Sequence, residues 1–154
     1  MKKIIISIMV CLFALSVQTG YAEDSDVTVT INGEVLNTPI PARIENERTM
    51  LPMRAIFESL GASVTWMGDE QIIFAAKDDT VLTMKIGLAR MSLQKAESNE
   101  NKAIALDVAP YIENDFTLVP VRAVCEGLGA KVDWIEATRT VVITTEQRNV
   151  LSEK

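Results

Sequence analysis

Val27, Val29 and Ile31 alternate with Thr28, Thr30 and Asn32, a period of two that predicts a strand with one buried face. Asn32-Gly33 then predicts a type I′ hairpin turn, with Val35 and Leu36 opening the return strand. Pro39 and Pro41 interrupt pairing because proline has no N–H to donate. A second hairpin is expected, with Arg43 to Glu45 leading in, Thr49 to Leu51 leading out and the turn built on Asn46. The period then changes. Met53, Ile56, Phe57 and Leu60 fall at i, i+3, i+4 and i+7, the apolar stripe of a short helix. Pro52 suits its first position and Gly61 a left-handed end. Alternation resumes over Ser63 to Trp66, Ile72 to Ala76 reads as the next strand, and Asp78-Asp79 turns the chain into Val81 to Ile86.

The same order of elements recurs. Ala89 to Leu93 and Ala103 to Leu106 read as strands around a polar loop, and Pro110 breaks pairing. Val121, Val124, Cys125 and Leu128 rebuild the helical stripe, Gly129 repeats the cap, and Val141 to Thr145 is a final strand. The recurrence is also literal. IENERTMLPMRAIFESLGASVTW, from Ile44 to Trp66, is followed 68 positions later by IENDFTLVPVRAVCEGLGAKVDW, from Ile112 to Trp134, with 13 of 23 residues identical and no gap. An internal duplication of one supersecondary unit explains this. A residue held in both copies more readily serves the unit's own packing than a single reaction centre. The expected fold class is therefore α+β: a duplicated unit of short antiparallel β-hairpins packed on one short helix per repeat. The expected organisation is a leader over 1–22, repeats over 23–80 and 81–145, and a polar tail over 146–154.

The leader reading rests on Lys2 and Lys3, a 14-residue apolar run from Ile4 to Val17, and small Gly20 and Ala22 before a cut at Glu23. That run is short for a bilayer, which takes about 20 residues, and no second run is long enough, so no membrane span is expected after cleavage. An exported, secreted or cell-surface protein is implied. Losing two lysines moves the net charge from −6 to −8, because 21 acids then face 13 bases. Such a surface repels phosphate backbones, so nucleic acid is not an expected partner. Only Cys125 remains after cleavage, which leaves no internal disulfide, and its alignment with Phe57 marks it as a packed apolar residue. The chain contains no histidine, and so lacks the commonest general base and the usual zinc and copper ligand.

Few residues suggest chemistry. Trp66 and Trp134 have the shape of sugar-stacking platforms, but they alternate in phase with Val64 and Val132, which points to the core. Arg54 with Glu58, and Arg122 with Glu126, form a duplicated polar pair at helical spacing, which could hold a carboxylate or sugar but reads more readily as a structural ion pair. These six are the candidate binding residues. Met50, Met53, Met84 and Met91 read as packing rather than a thioether copper site, since Met50 and Met53 align with Leu118 and Val121. Glu45-Asn46-Glu47 and Glu113-Asn114-Asp115 match no ordered calcium loop. No catalytic residue, metal site or cofactor is nominated.

Thr49-Met-Leu-Pro-Met-Arg-Ala through Leu60-Gly-Ala, with Val64 and Trp66, resembles the copper amine oxidase-like N-terminal domain, or stalk domain, and Thr117-Leu-Val-Pro-Val-Arg-Ala through Leu128-Gly-Ala and Trp134 resembles it again. The resemblance covers about Val27 to Thr145. The family often has glycine after the turn asparagine, where this chain has Glu47 and Asp115. The resemblance implies an exported accessory module and no oxidase activity; oxidase chemistry needs copper-ligating histidines, and Tyr111 does not lie in the oxidase cofactor motif. The expected function is a non-catalytic interaction or structural module, with an envelope protein or self-association as partner. The alternative is a carbohydrate-binding module for a cell-wall polymer.

Overall fold

The computed structural model describes residues 26–98 and 100–146. The leader and the tail from residue 147 lie outside them. The chain runs β1 (Thr28–Ile31), β2 (Glu34–Val35), β3 (Arg43–Glu45), β4 (Arg48–Pro52), α1 (Met53–Ser59), β5 (Ser63–Met67), β6 (Ile72–Lys77) and β7 (Thr80–Lys85). It continues with β8 (Arg90–Lys95), β9 (Asn101–Ala105), β10 (Tyr111–Glu113), β11 (Phe116–Pro120), α2 (Val121–Gly127), β12 (Ala130–Ile135), a 3-10 turn (Glu136–Thr138) and β13 (Thr140–Thr145). Among the described residues the protein is mostly sheet with two helices, an α+β fold with antiparallel sheets.

The described residues form three sheets, and the central one relates the repeats. Its order is β10-β11-β4-β3. β4 and β11 pair antiparallel with Leu51 opposite Val119, Met50 opposite Pro120 and Pro52 opposite Leu118. Leu51 and Val119 occupy the same place in the two copies, so each repeat meets its own image there. This is the self-complementary contact of a two-fold axis, made inside one chain. Because successive strand residues face opposite ways, both faces of β4 and β11 are used. Leu51 and Val119 enter the main core, whereas Met50 and Leu118 form a second, smaller one with Val108, against which Ile40 and Tyr111 pack. The consecutive apolar residues of the duplicated motif answer to these two cores.

The outer sheets draw strands from both repeats. One has the order β12-β13-β1-β2, the other β5-β6-β7-β8-β9. The hairpins β5–β6 and β12–β13 share one register at the 68-residue offset, Ser63 pairing with Ala76 as Lys131 pairs with Thr144. What is added to them differs. β6 continues through β7 into the hairpin β8–β9, whereas β13 receives the opening strand of the chain in parallel, Thr28 beside Thr140 to Ile31 beside Ile143. That parallel ladder corrects the expectation of antiparallel hairpins alone. It is possible because over a hundred residues of crossover separate the strands, far more than parallel pairing requires. Asn32 fastens its end: the Asn32 side-chain amide donates to Thr145 Oγ1 at 2.7 Å, and Thr145 N donates to Asn32 Oδ1 at 2.9 Å.

The helices follow the stripes read from sequence. Met53, Ile56 and Phe57 are buried on α1, and Val121, Val124 and Cys125 on α2. Two turns of helix are marginal in isolation, so this burial holds them in place. Gly61 and Gly129 end them at φ +72° and +82°. At α1 the Gly61 and Ala62 amides donate to Glu58 O and Phe57 O, satisfying carbonyls the helix leaves open. Pro52 lies one residue before its expected place. It is the N-cap at ψ 125°, because it is still pairing with Leu118 across the central sheet. Both short turns are left-handed at two successive residues, Asn46 and Glu47 at φ +46° and +62°, Asn114 and Asp115 at +48° and +65°. The I′ geometry is thus kept where glycine is absent.

Candidate functional site

The duplicated pairs sit on the outer flanks of the helices, and the copies differ. Arg54 Nη1 lies 3.6 Å from Glu58 Oε1, with both side chains well exposed. Arg122 Nη1 lies 3.3 Å from Glu126 Oε1 and also donates to Val132 O at 2.8 Å, tying α2 to β12. The indoles are neither core nor bare. Trp66 and Trp134 are half-buried, each packed on the main core by one side. The indole N–H of Trp134 donates to Glu136 Oε2. The position equivalent to Glu136 in the first repeat is Gly68, so Trp66 has no such carboxylate beside it.

A groove of about 660 Å³ opens on the second-repeat flank. Its walls are the β3–β4 turn, the end of β9, α2, and the β12–β13 hairpin. Three of the six candidates line it, Arg122, Glu126 and Trp134; Arg54, Glu58 and Trp66 do not. The floor is apolar, with Ile104, Leu106, Val121, Val132 and Val141. The rim is charged with both signs. Arg48 Nε lies 2.6 Å from Asp107 Oδ2, which joins the β3–β4 turn to the end of β9. Glu47, Asp133, Glu136 and Arg139 complete it. Sequence reasoning missed Arg48, Asp107, Glu136 and Arg139, because it sought residues shared by the copies. The usable signal was the opposite one: Arg48, Glu136 and Arg139 stand where the other copy has Phe116, Gly68 and Gln71.

A second polar cluster closes the far face of the central sheet. Arg43 Nε is 2.8 Å from Glu113 Oε2, an ion pair without a well-aligned hydrogen bond. Tyr111 donates to Glu45, and burial, that bond and the carboxylates of Glu45 and Glu113 push its phenol up to about 12. Arg43 and Tyr111 are equivalent positions, as are Glu45 and Glu113, so these are one contact made twice around the internal two-fold. Burial also pushes the Cys125 thiol up to about 12, with the Glu126 carboxylate adding to it. Both groups are held protonated, which suppresses nucleophilic character.

Copper does not fit this donor set. There is no histidine in the chain. Cys125, Met53, Met84 and Met91 are packed in the main core and Met50 in the smaller one. Among the described residues no three acids or cysteines converge as a metal cage would require. No described helix is long and apolar enough to cross a membrane.

Fold and groove define a duplicated α+β module whose second-repeat groove is lined, among the described residues, by no serine, cysteine, tyrosine or histidine. The family model of the copper amine oxidase N-terminal domain matches residues 30–100 and again 97–153. The chain belongs to that family and carries its domain twice, and the family is the oxidases' accessory domain, not the catalytic one. Among curated proteins none matches the chain.

Proposed function

We propose that the protein is a non-catalytic interaction module acting outside the cytoplasm, secreted or held at the cell surface, and that it engages an envelope protein through the second-repeat groove. The observation that carries this reading is the composition of the groove. An apolar floor rimmed by Arg48, Asp107, Arg122, Glu126 and Glu136 offers buried area and paired charges to a protein segment. Among the described residues the only lining hydroxyl is that of Thr49. The apolar run after Lys2 and Lys3, with small Gly20 and Ala22 before the expected cut, supports an exported location.

The test places a photo-crosslinking residue at Asp133, on the rim, in cells that make the protein. A discrete crosslinked envelope protein is expected, and it should disappear when Arg48→Glu and Arg122→Glu are combined. Crosslinks unchanged by that double variant would remove the groove from the reading. Co-sedimentation with purified wall polymer, sensitive to Trp134→Ala, would instead support the carbohydrate-binding alternative.

A further inference from the structure

We propose that the outward face of the five-stranded sheet is a surface on which two copies of this chain associate. The inner face of this sheet belongs to the main core through Ile73, Ala75, Leu82, Met84 and Met91. Alternation turns the residues between them outward. The register places Thr65, Phe74, Thr83, Ser92 and Ala103 in one row across all five strands. The next row, from Ser63 to Asn101, is also without charge. Ten adjoining outward positions thus carry no charge in a chain that is 23% charged. The charges on this face, Lys85 and Arg90, stand together at its opposite border. Phe74 is half-buried yet belongs to neither core. A shallow depression of about 150 Å³ lies toward the charged border, lined by Ile72, Thr83 and Ser92 with Lys85 and Arg90, and Leu88 is 45% exposed at its lip.

The occupant follows from charge. The chain is acidic, so an uncharged face is where two copies meet with least repulsion. The structurally equivalent sheet does not offer such a face. There Lys131 and Asp133, 2.8 Å apart, replace Ser63 and Thr65. The same patch meeting itself is the usual geometry of a dimer. Five strands about 4.8 Å apart, over the roughly four residues that the two uncharged rows span, give a plan area of about 300 Å², and with side-chain relief about 800 Å² in total for two copies. That is small for a specific interface, so the association it supports is weak and reversible. The small hydroxyl and methyl side chains let the two sheets approach to about 10 Å, with Phe74 filling the space between them.

Sedimentation velocity of the purified protein from about 1 to about 200 µM tests this. A monomer–dimer equilibrium is expected, unweakened at about 0.5 M salt because no ion pair holds it. Thr83→Glu sets like charges against each other and should weaken it at least about tenfold. Ala103→Glu, at an exposed edge position that the fold tolerates, should act in the same direction. Thr144→Glu on the other outer sheet should change nothing. A monomer throughout the range, association untouched by Ala103→Glu, or equal sensitivity to Thr144→Glu would each overturn the proposal. None of these outcomes bears on the groove, which lies on the second-repeat flank.

Discussion

The two flanks of the molecule start from the same 23-residue plan and end differently. On the first, Arg54 and Glu58 stand in water, Trp66 lies over Gly68, and the β3–β4 turn's counterpart carries Phe116. On the second, Arg122 is tied to Val132 O at 2.8 Å, Trp134 is tied to Glu136, and Arg48 reaches Asp107 at 2.6 Å. Helix packing differs too. Phe57 has become Cys125, and Ser59 has become Gly127, where an added Cβ would come within 3.2 Å of Leu93 and Met91. The lesson is that shared residues hold the scaffold in both copies, and that the groove adds to the shared Arg122, Glu126 and Trp134 a set of unshared residues, Arg48 from the first copy and Glu136 and Arg139 from the second.

The comparison can be broken most severely at the helix core. Phe57→Ala should cost about 3–5 kcal/mol in urea unfolding, and Cys125→Ala at the matching place only about 1 kcal/mol, because far less volume is lost. If the two costs were equal, the flanks would be packed alike. Next in size is the alkaline limb. Tyr111 and Cys125 are protonated in the folded chain up to about 12. Above their ordinary values of about 10 and 9 the unfolded chain releases those protons while the folded chain keeps them. Stability is therefore fully present below about pH 9 and declines as pH rises toward 12. Tyr111→Phe should flatten part of that decline in a pH series of melting temperatures, and Cys125→Ala another part. The buried thiol should also react with a disulfide reagent only as fast as the protein opens.

Smaller effects sharpen the contrast between flanks. Arg122→Met should cost about 1 kcal/mol through its lost bond to the Val132 carbonyl, and Arg54→Met less than about 0.5 kcal/mol, since its only ion pair is exposed. Chemical denaturation of the two variants side by side measures the difference. The turn gives an effect of similar size. Glu47→Gly should gain about 0.5–1 kcal/mol, because φ +62° strains glutamate and not glycine, offset by the greater freedom of glycine in the unfolded chain.

Much of this was legible along the chain. The helical stripes, the glycine caps, the Asn32-Gly33 turn and the family were all readable, because each is set by neighbours a few residues apart. The pairing of Leu51 with Val119 was not, since nothing local says which strand ends of two copies will meet. The parallel docking of β1 on β13 escaped for the same reason: it joins positions more than a hundred residues apart. The indoles were misjudged by half. Alternation correctly set their phase, but both sit on edge strands, β5 and β12, where a side chain on the inner face still reaches the rim. The groove was half legible, through Arg122, Glu126 and Trp134. Its other wall comes from the first repeat and from β9, which only folding brings near.

The parallel ladder between the first and last strands has a mechanical corollary. Tension drawn through the two ends of the chain would pull β1 and β13 lengthwise past each other, since each is tethered at the opposite end of the shared ladder. Rungs loaded in that direction share the force and must rupture together, whereas an antiparallel closure would unzip rung by rung. A module held at one end and hauled at the other would therefore resist being drawn out until its last clasp gave way.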